Sequence, residues 1–211
     1  MNEVNTVSFW VLLLSTASIA MVHSLAPDHW VPFVSMARAR NWTRSRLLWV
    51  TLLSGIGHVG SSIVIGGIGL ALGFSLNKLQ LFESQRAAIA GWLLIGFGLA
   101  YAIWGIKHVR QHKNIEEKIS MGIWTLVAIF VLGPCEPLIP LMFIAIAHGW
   151  QVVALTCGVF SILTISMMVG QTWLGYRGVS LIKSSNLECY SHVLAGLVIV
   201  ATGGLVVYFG I

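Results

Sequence analysis

Apolar residues fill most of the chain in six long stretches, and each stretch ends at a cluster of polar or charged residues. The stretches cover residues 8–36, 47–74, 87–106, 121–147, 150–174 and 191–210. A helix needs about 20 apolar residues to cross the hydrocarbon core of a bilayer. No Pro/Ser-rich linker separates the stretches, so the pattern predicts an all-α protein whose residues 1–211 form a single transmembrane domain of six helices.

The composition agrees with this prediction. Of the 211 residues, 57% are hydrophobic and 9% are charged, whereas soluble domains average about 25% charged residues. So few charges cannot cover the surface of a soluble protein of 23.0 kDa. The same composition excludes a disordered chain and a dedicated nucleic-acid-binding protein. The sequence pI near 9.4 is explained by basic loops of a membrane protein.

The twelve Lys and Arg residues are distributed unevenly among the predicted loops. Ten lie in loops one, three and five or at their edges, whereas loop two has Lys78 and Arg86 and loop four has none. Because loops rich in Lys and Arg remain on the cytoplasmic side, we predict a multi-pass protein of the cell (plasma) membrane with both termini outside. The N-terminus lacks the basic region of a cleavable signal, so we expect the first helix to be retained.

The two halves of the sequence resemble each other. Residues 90–106 and 195–211 align without gaps and share five identities, of which three are glycines suited to close helix packing. The segments APDHWVP (26–32) and GPCEPLIP (133–140) occupy similar places in the two halves. Three crossings reverse the side of the membrane, so we predict two inverted three-helix repeats, at about 8–106 and 121–211. Inverted repeats are typical of secondary transporters, whose sites lie at interrupted helices near the membrane midplane.

Prolines interrupt the first predicted helix of each half. They are Pro27 and Pro32 in the first half and Pro134, Pro137 and Pro140 in the second. Proline removes a backbone donor and clashes with the preceding turn, so both helices should be broken. Each break carries a carboxylate, Asp28 or Glu136, in an apolar run. An ionisable group at membrane depth costs several kcal/mol and indicates a functional site.

Histidines near the first carboxylate predict a metal site. His23, Asp28 and His29 form an H-x4-D-H motif, and His58 lies in the middle of the second stretch. Imidazole and carboxylate ligands suit nickel, cobalt or zinc better than magnesium or calcium. We predict these four residues as the principal ligands, with Glu136 and Cys135 completing or gating the site from the second half.

These motifs carry a resemblance to known metal transporters. The H-x4-D-H motif resembles the signature of the nickel/cobalt permease family, and SGIGHVGSS around His58 resembles that family's second motif. The resemblance covers about the first third of the chain and implies transport of Ni²⁺ or Co²⁺ by these residues. Six helices and a proline–cysteine motif in the second half look closer to the related NicO-like and UreH-like membrane proteins. Import and export are both compatible with this resemblance.

The segment GPCEP also resembles the proline-flanked cysteine of CcdA- and DsbD-type reductant carriers, which pass electrons between two membrane cysteines. That chemistry requires a pair of thiols, one in each repeat. The first repeat has Asp28 and His29 at the matching position, and Cys157 and Cys189 lie outside the proline-flanked segments. A transmembrane thiol–disulfide electron carrier is therefore the alternative function, and a membrane subunit that binds metal without conducting it is a third.

The preferred interpretation is a transporter rather than an enzyme. We expect no permanently bound cofactor, since the metal ion is the transported substrate. The expected partners are this ion and the lipid bilayer, with no nucleic acid. Assembly into a homo-oligomer remains open.

Overall fold

The computed structural model describes residues 3–111, 119–133, 135–181 and 190–209, and in these ranges the secondary structure is helical, with no strand. The elements are α1 (Glu3–Ser24), a 3₁₀ turn (Pro27–His29), α2 (Val31–Ala39), α3 (Arg44–Ala71), α4 (Leu76–Gln111), α5 (Ile119–Leu132), α6 (Leu138–Ile146), α7 (Trp150–Ser180) and α8 (Ser191–Phe209). The all-α prediction is confirmed for these residues.

Within the part of the chain that the structure describes, five helices are long and apolar enough to cross a membrane. They are Val7–Ser24, Arg44–Ala71, Leu76–Lys107, Trp150–Ser180 and Ser191–Phe209. Large apolar side chains such as Leu14, Trp92 and Ile162 are more than 60% exposed on their outer faces. A soluble bundle would bury such residues, whereas lipid solvates them. The protein is therefore a multi-pass membrane protein. The remaining predicted stretch, 121–147, is divided between the short helices α5 and α6.

The helix ends follow local sequence signals. The Thr43 side chain caps α3 by accepting a hydrogen bond from the amide of Arg46 at 3.3 Å. After α3 ends, Gly73 adopts a φ of 71°, a left-handed conformation that glycine reaches without steric cost. Pro32 lies in the first turn of α2, where its missing N–H has no helical partner to lose.

One boundary differs clearly from the sequence prediction. The third long helix begins at Leu76 rather than at residue 87, so Glu83 and Arg86 lie inside α4 instead of in a loop. These residues are three positions apart and form an ion pair with each other. Because they are paired, the two charges can lie within a membrane helix without either one being exposed to lipid unpaired.

Helices α4 and α8 pack against each other more extensively than any other pair in the described chain. Glycines make the close approach possible. A Cβ atom added at Gly98 would lie 2.7 Å from the carbonyl oxygen of Gly196, and one at Gly203 would lie 2.8 Å from that of Gly91. No side chain fits at these distances, so the glycines allow direct backbone contact between the two helices.

The interrupted helices meet around α3 and α7. Helix α1 packs on α7, α5 packs on α3, and α3 and α7 also contact each other. The breaks after α1 and after α5 are thereby brought to the same region of the protein. His58, at the middle of α3, faces this region.

Candidate metal site

Three histidine side chains form a compact cluster. His23 lies in the last turn of α1, His29 ends the 3₁₀ turn, and His58 lies in α3. One ring nitrogen from each residue lies within 4.8 Å of the other two. The residues His29 and His58 are 1% and 5% exposed, and His23 is partly buried. Among the described residues this is the arrangement of His, Cys, Asp or Glu groups compact enough to hold a metal ion.

The helix interruption is what brings His23 and His29 together. In a continuous α-helix, residues six apart are separated by about 9 Å along the axis and by about 120° around it. Here the chain turns at Ala26, whose amide donates to the His23 carbonyl at 3.2 Å and whose carbonyl accepts from the His29 amide at 3.1 Å. As a result, the two Nε2 atoms lie 3.2 Å apart.

Asp28 controls the orientation and tautomer of His29. Its Oδ1 lies 2.9 Å from Nδ1 of His29. Because an ionised carboxylate only accepts hydrogen bonds, Nδ1 carries the proton, and Nε2 has a lone pair that accepts a hydrogen bond from Nε2 of His23. Imidazoles that bind metals are commonly held by a carboxylate in this way.

His58 is oriented by the end of α5. Its Nδ1 lies 3.4 Å from the carbonyl oxygen of Phe130, which can only accept. The Nε2 atom of His58 therefore carries a lone pair. This atom is buried and has no hydrogen-bond partner in the described part of the chain. Buried polar atoms are rarely left unpaired, and a cation shared with the other two imidazoles would satisfy this one.

Cys135 adjoins the histidine cluster from the second interruption. Its thiol is buried, and Sγ lies 3.6 Å from Nε2 of His23. Its backbone amide donates to Oγ of Ser62 at 3.0 Å. The position of this sulfur adds a soft donor atom to one side of the three imidazoles.

Two separate cavities border these residues. A void of about 30 Å³, room for about one water molecule, is lined by Asp28, His29 and His58 together with apolar side chains. Glu136 instead lines a larger cavity of about 460 Å³, together with Glu83 and other polar residues of the first turns of α4. Glu136 thus neighbours the cluster in sequence while its side chain lines a different space.

The structure therefore brings together four of the six predicted site residues, His23, Asp28, His29 and His58, and places Cys135 beside them. Glu136 is not part of this group. Sequence reasoning missed Glu83 and Arg86, because the predicted third helix began after them. An acidic and a basic residue three positions apart, directly before an apolar run, were the signal that could have found them.

Two further histidines of the described chain, His148 and His192, bond to hydroxyl groups away from the cluster, although Nδ1 of His148 is buried without a hydrogen-bond partner among the described residues. Nε2 of His148 lies 3.0 Å from the Ser8 hydroxyl, and Nδ1 of His192 lies 2.8 Å from that of Tyr101. Cys157, on α7, is a free thiol packed among apolar side chains of α1, α3, α6 and α7. Cys189, considered for the thiol alternative, lies outside the described residues, as does Pro134.

Comparison of the chain with protein-family models, with curated proteins and with solved structures finds no match. The function therefore has to be inferred from the membrane helices and the histidine cluster themselves.

Proposed function

We propose that the protein is a secondary transporter of divalent transition-metal cations, with nickel or cobalt as the preferred substrate and zinc as the next candidate. The observation that carries this proposal is the convergence of three imidazole nitrogens from three separate elements inside a membrane protein. Imidazole ligands favour borderline divalent ions over magnesium and calcium. Histidines inside membrane helices mark ion pathways by default.

The spacing of the nitrogens suits reversible binding. In a tetrahedral site with metal–nitrogen bonds of about 2.0–2.1 Å, neighbouring nitrogens lie about 3.3 Å apart. The Nε2 atoms of His23 and His29 are 3.2 Å apart. His58 completes the site by moving inward by no more than about 1.5 Å, since its nitrogen lies within 4.8 Å of the others. A site that closes around the ion and reopens can release its cargo, unlike a rigid structural site.

The proposal gives a separate role to each of Asp28, Cys135 and Glu136. Asp28 acts through His29, by fixing its tautomer and by offsetting part of the charge of the ion. Cys135 supplies a fourth donor from the second interruption. Glu136 lies in the larger cavity, where its carboxylate raises the local concentration of cations and gates their access.

We also propose that the chain crosses the plasma membrane six times as two inverted repeats, with both termini outside. In this arrangement α1–α2, α3 and α4 correspond to α5–α6, α7 and α8. The packing supports the correspondence, because exchanging the halves turns the α1–α7 contact into the α5–α3 contact. The same exchange leaves the α3–α7 and α4–α8 contacts unchanged. Rocking of one repeat against the other would expose the site to each side in turn.

The test is metal flux in sealed vesicles. The purified protein is reconstituted with a metal-sensitive dye inside, and nickel, cobalt or zinc is added outside, with and without a proton or sodium gradient. We expect flux by the unchanged protein and a loss of at least about a hundredfold in metal affinity in His58→Ala, because a direct ligand is removed. His148→Ala is the matched control, since this histidine bonds to Ser8 outside the cluster.

Equal metal binding by the unchanged protein and by His58→Ala would contradict the proposal, provided that size-exclusion profiles show both to be folded. Binding without flux under every gradient would instead identify an accessory metal-binding subunit.

A further inference from the structure

We propose that Ser62, Glu83 and Arg86 are positioning residues of the metal site, which hold the second helix interruption so that the Cys135 thiol faces His23. This inference rests on the proposed transport function. It adds Glu83 and Arg86, which lie outside both quoted motifs, and it gives a role to Ser62, the last residue of the segment SGIGHVGSS. The evidence is a chain of hydrogen bonds that joins α3 and α4 to both sides of this interruption.

The interruption frees backbone groups that a continuous helix would pair. On its α5 side, the carbonyl of Val131 accepts a hydrogen bond from Nη2 of Arg86 at 3.3 Å. On the other side, the amide of Cys135 donates to Oγ of Ser62 at 3.0 Å. Free backbone groups at membrane depth must find partners inside the protein. Here both partners are side chains of the neighbouring helices.

The two partners are themselves connected through Glu83. The Ser62 hydroxyl donates to Oε2 of Glu83 at 3.2 Å, and Nη1 of Arg86 donates to Oε1 of the same carboxylate. Arg86 also donates to the Ser61 hydroxyl at 2.9 Å. Both oxygens of Glu83 are thus engaged, and its side chain is only 2% exposed. Ser62, Glu83 and Arg86 therefore form one connected hydrogen-bond network.

Stability alone does not account for this buried ion pair. Removing two charges from water costs several kcal/mol for each ion, and apolar replacements are often equally stable or more stable. The ion pair instead fixes the conformation of the interruption, because a charged and fully hydrogen-bonded network permits one arrangement of the chain. That arrangement places Sγ of Cys135 3.6 Å from Nε2 of His23.

Ser62 is the link between this network and the histidines. It lies one helical turn after His58, on the same face of α3. A single helix therefore presents an imidazole to the ion and a hydroxyl to the segment that carries the thiol. Movement of α3 relative to this segment would separate sulfur from the imidazoles.

Ser54 provides a matched control. It lies one turn before His58 on the same face, and like Ser62 it is fully buried. Its hydroxyl has no hydrogen-bond partner among the residues that the structure describes. Ser54→Ala and Ser62→Ala therefore each remove one buried hydroxyl oxygen from the same face of α3. Only Ser62→Ala breaks the hydrogen-bond network.

The experiment is titration of the detergent-purified, full-length protein with Co²⁺, followed by absorption spectroscopy. Coordination by sulfur produces a ligand-to-metal charge-transfer band in the near ultraviolet, and cobalt bound by imidazole produces d–d bands in the visible. We expect both in the unchanged protein and in Ser54→Ala. In Ser62→Ala we expect the charge-transfer band to disappear, the d–d bands to remain and the dissociation constant to rise about tenfold.

Ser62→Thr keeps the hydroxyl and should restore the charge-transfer band, which a general loss of stability would not do. Glu83→Gln keeps an acceptor for Ser62 but removes the charge that holds Arg86, so it should weaken the band without abolishing it. This variant provides the test if Ser62→Ala does not fold.

The outcomes separate this inference from the proposed function. Metal binding with an unchanged spectrum and affinity in Ser62→Ala would overturn the positioning role and leave the transport proposal intact. Cobalt binding by the unchanged protein without a charge-transfer band would also overturn it, in favour of a site of three imidazoles alone. Absence of cobalt binding by the unchanged protein would overturn the positioning role, and the transport proposal would then be decided by the flux of nickel and zinc into vesicles.

Discussion

The two helix interruptions satisfy their backbone hydrogen bonds in different ways. Between α1 and α2 the chain pairs with itself through short turns, such as the bond from the Trp30 amide to the Pro27 carbonyl at 3.4 Å. Between α5 and α6, the Val131 carbonyl and the Cys135 amide bond to side chains of α4 and α3. The second interruption also makes a short turn of its own, from the Leu138 amide to the Cys135 carbonyl at 3.0 Å. It depends in addition on side chains of its neighbours, whereas the first interruption is determined locally.

The two interruptions also contribute different side chains to the histidine cluster. The first interruption contributes two imidazoles and a carboxylate to the cluster, and the carboxylate orients one of the imidazoles. The second contributes one thiol that contacts His23, while the next side chain, Glu136, lines another cavity. Under the proposed function, the first proline-rich segment would supply most of the metal ligands and the second would supply one additional donor. Substitutions in the first should affect metal affinity most.

Asp28→Ala should have the largest effect of the three substitutions that test this comparison. Loss of the carboxylate frees the His29 ring and removes a negative charge, so metal affinity should fall by up to about a hundredfold. Isothermal titration with Ni²⁺ and Co²⁺ measures it. Asp28→Asn keeps an acceptor oxygen for Nδ1 but not the charge, and should lose less. An affinity unchanged in both variants would show that His29 needs no orienting partner.

Cys135→Ala should have a smaller effect, with a loss of about tenfold in metal affinity. Removing the soft donor should also reduce the preference for zinc and nickel over harder ions such as manganese. Competition titrations measure both quantities. Cys157→Ala is the control, because this cysteine is buried among apolar residues. Loss of transmembrane thiol reduction in Cys135→Ala, with normal metal flux, would favour the thiol–disulfide carrier instead.

Glu136→Gln should have the smallest effect. The carboxylate lines the larger cavity and not the cluster, so equilibrium affinity should stay the same. Flux at low metal concentration should fall about two- to fivefold, since a partly exposed charge such as that of Glu136 contributes up to about 1 kcal/mol. The difference should vanish at high salt. Asn77→Ala, which alters the same cavity without a change of charge, is the control, and a large drop in affinity would make Glu136 a ligand.

Much of the fold could be predicted because its causes are local or compositional. The apolar stretches predicted the membrane helices, since a lipid environment requires continuous helices with apolar outer faces. Pro27 and Pro32 predicted the first interruption, because proline limits the backbone wherever it occurs. The H-x4-D-H motif placed His23, Asp28 and His29 in one short segment. Once that segment turns, the three side chains must lie close together.

Other features depend on contacts between distant parts of the chain. The sequence alone marked His58 as unusual in an apolar helix, but the packing of α3 against α5 decided that its Nδ1 meets the Phe130 carbonyl and its Nε2 faces the other imidazoles. Tertiary structure also decided that Glu83 lies within helix α4 and that the side chain of Glu136 lines a cavity separate from the histidine cluster. Turns and interruptions follow from backbone sterics over a few residues, whereas the partners of a buried polar atom depend on which helices lie beside it.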